Sequence, residues 1–208
     1  MENKLSNESK VLQKEEKIAL WNHFSDLVRE KKFELLEEEC KKILKSDADN
    51  LLAAFFLTQV AISEKDDDLI RMSFVNFFSA TVNDSDEKKW FELLMNEANR
   101  ILNLNKKQNY GKFTTKKELV ESFNKGDIDK SLNWYNESFI LFSNVNFINF
   151  CLGILYELKS NFEKAIYYYT RALEKTHNLA KRAPRLNLRN SIEEIEMALN
   201  ELKSKINN

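Results

Sequence analysis

The sequence contains little glycine and little proline. Its 208 residues include three glycines and one proline, and these are the residue types that most often form turns and interrupt helices. An architecture of many short β-strands, or a chain with long flexible linkers, needs more of both. Their scarcity favours an all-α chain, and the length suits one domain with a sizeable core.

Cysteine and unbalanced charge are also scarce. We expect the two cysteines, Cys40 and Cys151, to lie on buried helix faces, so we interpret them as reduced thiols that pack as small hydrophobic groups. The 32 basic and 33 acidic residues give a net charge of −1. This balance offers no general attraction to nucleic acid or to an anionic membrane.

Long hydrophobic runs are missing as well. The longest, 51–62, contains Thr58 and Gln59 and is shorter than the ~20 apolar residues that span a bilayer. The N-terminus lacks the hydrophobic segment of a secretion signal. We therefore expect a cytoplasmic protein that does not enter a membrane. Residues 1–14 are polar and are expected to form a disordered tail, followed by a single domain over 15–208.

Apolar residues recur three and four residues apart along most of the chain, which predicts amphipathic helices. The clearest case is 162–173, N-F-E-K-A-I-Y-Y-Y-T-R-A-L with its preceding Asn161, a residue typical of a helix N-cap. The segment before it, 147–158, is apolar nearly all round, so we expect a helix that is covered on two sides. The two helices together predict a hairpin that turns at 159–161.

This hairpin resembles the tetratricopeptide repeat, a unit of about 34 residues with two antiparallel helices. Asn149 and His177 depart from the family pattern, which favours an aromatic residue and a proline there. The resemblance implies an α-α superhelix of helical hairpins, in which small residues such as Gly153 let the helices approach each other closely. The residues that match the pattern are Leu152, Gly153, Tyr156, Phe162, Ala165, Tyr169 and Ala172.

The same period extends to other parts of the chain. Counting by the repeat length gives further units at 112–145, 51–84 and 17–50, with Gly126 expected at positive φ in the turn of the first of these. Between them, 85–104 predicts a single inserted helix, and 105–111 is interpreted as a loop and a candidate hinge. Near the C-terminus, Ser191 and Glu194 form a capping-box pattern, and a heptad seam predicts a capping helix. The seam residues are Leu188, Ile192, Ile195, Leu199, Leu202 and Ile206.

The resemblance also implies a binding surface on the concave face, formed by the first helix of each hairpin. Family members that bind chaperones hold a peptide carboxylate there with Lys, Asn and Arg, and only Lys116 fits that set. A large apolar surface is costly when it is exposed to water, so we expect another segment to cover it. The cover is a partner's helix or peptide, this chain's own C-terminal helix, or a second copy; alternatively, these aromatics are simply core. The candidate residues are Trp21, Phe55, Phe113, Lys116, Phe147, Phe150 and Ile154.

No residue cluster points to catalysis, a cofactor or a metal. The two histidines, His23 and His177, have no cysteine or acid at ligand spacing, and the acids at 66–68 suit a helix-capping turn. The sequence predicts a non-catalytic interaction module or adaptor that binds a protein or peptide through its apolar concave face. The alternatives are a self-associating structural component, dimeric through the heptad helix at 188–206, and a peptide-binding sensor or chaperone.

Overall fold

The computed structural model describes the backbone of residues 2–104 and 115–207 and the side chains of 13–101, 115–184 and 186–207. Within these ranges the chain forms ten α-helices and one 3-10 helix, Pro184–Leu186, and no β-strand. The all-α fold class is confirmed. The helices are α1 Glu2–Arg29, α2 Phe33–Ser46, α3 Leu51–Glu64, α4 Asp67–Ser79, α5 Ser85–Leu104, α6 Lys116–Lys125, α7 Ile128–Phe142, α8 Asn146–Leu158, α9 Phe162–Arg182 and α10 Arg189–Asn207.

The first helix is longer than the sequence led us to expect. It begins at Glu2 and runs through the segment 2–14 that we expected to be disordered. This segment is rich in Glu, Lys, Gln and Leu, which favour helix, and it contains no glycine or proline to interrupt the backbone. The candidate hinge at 105–111 lies outside the described residues.

Successive helices pack side by side as antiparallel hairpins, in the manner of a helical-hairpin superhelix. The pairs are α1 with α2, α3 with α4, α6 with α7, and α8 with α9. In the last pair, Gly153 of α8 faces the ring of Tyr169 on α9, and a Cβ at position 153 would lie 2.6 Å from Cε1 of that ring. The small residue is what allows this close approach, as the sequence predicted.

The inserted helix α5 does not continue the stack. It turns back onto the start of the chain, where it packs against α3 and where Trp90 meets Trp21 of α1 with ring centroids 6.3 Å apart. The stack is continued instead by α7, which packs on α2 and α4, and by α9, which packs on α4. As a result, α5 covers part of the surface that α1 and α3 would otherwise present as a concave face.

Polar contacts join the hairpins of α1 to α4 with those of α6 to α9. Asn144, before α8, donates from its amide nitrogen to the carboxylate of Asp49 over 2.7 Å, and the same Asp49 oxygen accepts from the amide of Thr81 over 2.8 Å. Arg182 of α9 donates to the carbonyl of Phe78 at the end of α4. Since buried polar groups are costly when unpaired, these contacts specify one arrangement of the helices.

Helix starts follow local side-chain chemistry. The capping side chains accept hydrogen bonds from amides in the first turn, which would otherwise lack partners. The expected box at Ser191 and Glu194 is not formed, because Ser191 lies inside α10; the box that forms pairs Thr115 with Glu118. Gly126 has φ −109° rather than the expected positive φ. The capping residues are Asn50, Asp66, Asp84, Thr115, Asp127 and Asn161.

The C-terminal helix α10 caps the array. Its seam residues Ile195, Leu199 and Leu202 are buried in one core with Phe150 and Tyr169. The seam that we considered as a dimer interface is therefore packed within the chain, and only its last residue, Ile206, is exposed. Both cysteines are free and buried, and burial raises the pKa of each thiol, that of Cys151 to about 12.

Candidate functional site

Two grooves open on the first helices of the hairpins. One lies between α1, α3 and α5, has a volume of about 510 Å³ and is mainly apolar; we call it the aromatic groove. One of its walls is the inserted helix α5, which the tetratricopeptide pattern does not contain. The residues that line the aromatic groove are Trp21, Ser25, Val28, Phe56, Gln59, Trp90, Leu93, Leu94 and Glu97.

The aromatic side chains of this groove are held firmly from below. Trp21 stacks on Phe55 with ring centroids 5.9 Å apart and meets Phe56 edge to face at 5.1 Å. Phe55 and Phe56 are themselves buried in the core. Aromatic pairs in such geometries stabilise each other beyond their buried area, so the core packing fixes the position of Trp21.

The rim of the aromatic groove combines an exposed apolar residue with a few polar ones. The side chain of Leu93 is 65% exposed, although it lies beside Trp90. Ser25 and Gln59 add polar side chains, and neither side chain hydrogen-bonds to another described residue. Glu97 receives hydrogen bonds from the guanidinium of Arg100, which lower the pKa of its carboxyl group and keep it ionised at neutral pH. The rim can therefore hydrogen-bond a ligand whose apolar groups enter the groove.

The second groove lies between α6, α8 and α10 and has a volume of about 600 Å³; we call it the charged groove. Its floor is α8, and the walls on either side are α6 and α10. Charged side chains of both signs alternate around it. The lining residues are Lys116, Lys117, Val120, Glu121, Ile154, Glu157, Leu158, Glu194, Met197, Ala198, Glu201 and Lys205.

Glu157 is at the centre of the charged groove, with a side chain only 12% exposed. Its carboxylate accepts hydrogen bonds from the hydroxyl of Tyr169 over 2.8 Å and from the ammonium groups of Lys116 and Lys205 over 3.0 and 2.9 Å. Burial alone raises the pKa of Glu157, but the three donors outweigh it and hold the pKa below its usual value. Burial together with the neighbouring carboxylate raises the pKa of Tyr169. Glu157 is thus an ionised, nearly enclosed acceptor.

Lys116 connects α6 to the floor of this groove, α8, and to the opposite wall, α10. Its ammonium group also bonds Glu201 of α10 over 3.1 Å, and its backbone amide donates to Glu194 of α10 over 2.8 Å. That amide belongs to the first turn of α6, where helix amides lack partners within the helix. The carboxylate of Glu194 therefore caps α6 from a different part of the chain.

The structure does not bring the predicted site residues together in one site. Trp21 lines the aromatic groove, and Lys116 and Ile154 line the charged groove. Phe55 and Phe150 are buried core residues, and Phe147 is half-buried and lines neither groove. Phe113 lies outside the described residues. For Phe55 and Phe150 the structure matches the alternative that these aromatics are core.

Sequence reasoning missed the residues that close the grooves. Trp90 and Leu93 lie on α5, where the repeat pattern is absent, and Glu194, Glu201 and Lys205 lie on α10, which we predicted only as a capping helix. The signal for Trp90 and Leu94 was present, since α5 is amphipathic. The sequence did not indicate which other helix its apolar face would meet.

Two general features of the structure concern site types other than grooves. Within the described side chains, no group of three or more His, Cys, Asp or Glu is placed to hold a metal ion. Within the described backbone, no helix has both the length and the apolar character needed to cross a membrane.

Comparison of the chain with models of known protein families, with curated proteins and with solved structures gives no match. The resemblance to tetratricopeptide repeats therefore stays a prediction from the sequence, and the structure itself shows helical hairpins.

Proposed function

We propose that the protein is a non-catalytic interaction module, built of tetratricopeptide-like hairpins, that binds an apolar segment of a partner protein in the aromatic groove. The observation that carries the proposal is the groove itself: Trp21 and Trp90 line it together, with ring centroids 6.3 Å apart, while Leu93 remains 65% exposed. Apolar groups held open to water in this way favour association with a complementary surface.

The shape of the groove favours an amphipathic helix as the ligand. Three helices form its floor and two walls, so a fourth helix can pack its apolar stripe between α1 and α5 in the usual ridge-and-groove manner. The volume of about 510 Å³ lies in the range of ~300–1,000 Å³ that is typical of ligand sites. Each large apolar side chain that a partner buries there contributes about 1.5–3 kcal/mol before the costs of association.

A cytoplasmic location is part of the same proposal. Cys40 and Cys151 are both buried and unpaired, and they behave as small core residues. Such thiols are typical of proteins that work in a reducing compartment. In the sensor and chaperone alternatives a peptide binds in the same groove, and only the consequence of its binding differs.

A selection from a library of helical peptides, displayed on phage, tests the proposal. We expect enriched sequences to share apolar residues at i, i+3 or i+4, and i+7. The discriminating variant is Leu93→Asp, which places a charge at the rim without disturbing the core. Its matched control is Leu35→Asp, because Leu35 is a 43% exposed leucine on α2 that lines neither groove.

The selected peptides should bind the wild type and Leu35→Asp alike, and Leu93→Asp at least about tenfold more weakly, since a carboxylate at the rim has to be desolvated when the peptide binds. Equal binding to all three proteins, or no enrichment of an amphipathic pattern, would contradict the proposal.

A further inference from the structure

Helix α10 occupies a surface that is built like a binding site. We propose that this surface, formed by α6, α8 and α9, is a second binding site for a partner helix of α10-like chemistry, and that α10 fills it as a displaceable intramolecular ligand. The charged groove is the part of this site that α10 leaves open, and the proposal does not depend on the aromatic groove.

The apolar part of the site recognises a narrow aliphatic stripe. On α10 the stripe consists of Ile195, Ala198, Leu199 and Leu202, all buried, and it packs in one core with residues of α6, α8 and α9. These four positions follow the i, i+3, i+4, i+7 pattern of a helix that lies in a groove. The residue in the middle of the stripe, Ala198, is small, so the backbone of α10 can lie close to the helices beneath it. A partner helix needs the same stripe, with a small residue at its centre.

The polar part of the site reads three charged positions on the helix that it holds. The acid of Glu194 reaches the backbone amide of Lys116, the acid of Glu201 reaches the ammonium group of Lys116, and the ammonium group of Lys205 reaches Glu157. On α10 these residues flank the stripe in the order E-I-x-x-A-L-x-E-L-x-x-K. Two acids and one following lysine therefore define the register of the bound helix and distinguish it from other amphipathic helices.

Two features indicate that α10 can leave this site. The side chains of Glu201 and Lys205 are 55% and 61% exposed, and ion pairs that solvent reaches in this way contribute little to stability. A volume of about 600 Å³ also remains open beside α10, with Met197 exposed at its edge. On the receiving side, Glu157 and Lys116 bond each other, and Glu157 also accepts from Tyr169 of α9, so both keep partners that do not belong to α10.

A labelled synthetic peptide with the sequence of residues 188–207, added to the full chain, tests this proposal. The full-chain variant Glu201→Lys turns one attraction between α10 and Lys116 into a repulsion, while the peptide keeps its glutamate. The matched control is Glu196→Lys, the same change at an exposed position of α10. Fluorescence anisotropy should show the peptide binding Glu201→Lys about tenfold more tightly than the wild type or Glu196→Lys, because the apparent affinity rises with the fraction of protein whose site is open.

Hydrogen exchange should report the same opening, with faster exchange of α10 amides in Glu201→Lys and unchanged exchange in α8 and α9. If Glu201→Lys does not fold, Lys205→Gln removes the contact with Glu157 by a milder change and should shift peptide binding and α10 exchange in the same direction, by less than tenfold. Equal peptide binding by wild type, variant and control overturns the proposal. So does a variant that forms dimers and does not bind the peptide, since the occupant would then be the α10 of a second copy.

Discussion

The contact between Gly153 and Tyr169 offers a quantitative test of the α8/α9 hairpin. In Gly153→Ala the added Cβ would lie 2.6 Å from Cε1 and 3.0 Å from Cγ of the tyrosine ring, closer than carbon atoms normally approach. The ring has no free space to move into. It is fully buried, packs against Phe150 with centroids 5.7 Å apart, and its hydroxyl donates to Glu157.

The expected cost follows from three contributions. Overpacking of a well-filled core costs about 1–3 kcal/mol. Any shift of the ring also weakens the hydrogen bond to the ionised Glu157, a kind of bond that contributes about 1.5–3 kcal/mol. Alanine has the better helix propensity by about 0.8–1 kcal/mol, which offsets part of the loss. We therefore expect Gly153→Ala to lower the free energy of unfolding by about 2 kcal/mol.

Urea unfolding followed by circular dichroism measures this value, and a double-mutant cycle identifies its cause. In the background of Tyr169→Ala the clash is gone, so Gly153→Ala should become neutral or stabilise the protein by up to about 1 kcal/mol. If Gly153→Ala costs the same in both backgrounds, or stabilises the protein in the presence of Tyr169, the packing that we describe is wrong.

Four further outcomes are expected. Tyr169→Ala should lower the free energy of unfolding by about 3–5 kcal/mol, whereas Tyr167→Ala, at a half-exposed position, should cost under about 1 kcal/mol; equal losses in urea unfolding would mean that the buried face is misassigned. Phe150→Asp should unfold the chain by placing a carboxylate in the core, and a cooperative native-like melt would contradict this. The lowered pKa of Glu157 gives stability that is present above about pH 4.3, the usual pKa of glutamate, and is lost as the pH falls through the lower folded-state value; between pH 5 and pH 3 the melting temperature of the wild type should fall more than that of Glu157→Gln. Light scattering should give a monomer mass at all concentrations, because α10 packs within its own chain, and a mass that rises with concentration would favour the dimer alternative.

Local features of the fold could be predicted from the sequence because they depend on neighbouring residues. The α9 helix begins after Asn161, whose side chain accepts from the amide of Lys164, and Asp66 caps α4 in the turn that the three acids indicated. The close approach at Gly153 was implied by the resemblance to a hairpin repeat, whose pattern has a small residue at that position. Spacing and side-chain chemistry are sufficient for features of this kind.

Contacts between distant parts of the chain could not be predicted, because an apolar stripe shows that a face is buried but not which helix covers it. The return of α5 onto α1 and α3 is the main example. At Phe150 two predictions conflicted: the apolar character of α8 indicated a helix covered on two sides, whereas the resemblance implied an open concave face, and the structure buries Phe150. The wrong choice at Ser191 has a related cause: Glu194 fits a local capping box but instead caps α6, far away in sequence.

The three tryptophans permit a direct test of the central claim that the aromatic groove binds a partner helix. Trp21 and Trp90 line the groove, whereas Trp134 is 54% exposed on α7 and lies outside it. In ¹⁵N-labelled protein, a selected amphipathic peptide should shift the indole N–H resonances of Trp21 and Trp90 in a saturable manner and leave that of Trp134 unchanged. If only Trp134 shifts, or if all three resonances stay in place while the peptide binds, the aromatic groove is not the binding site.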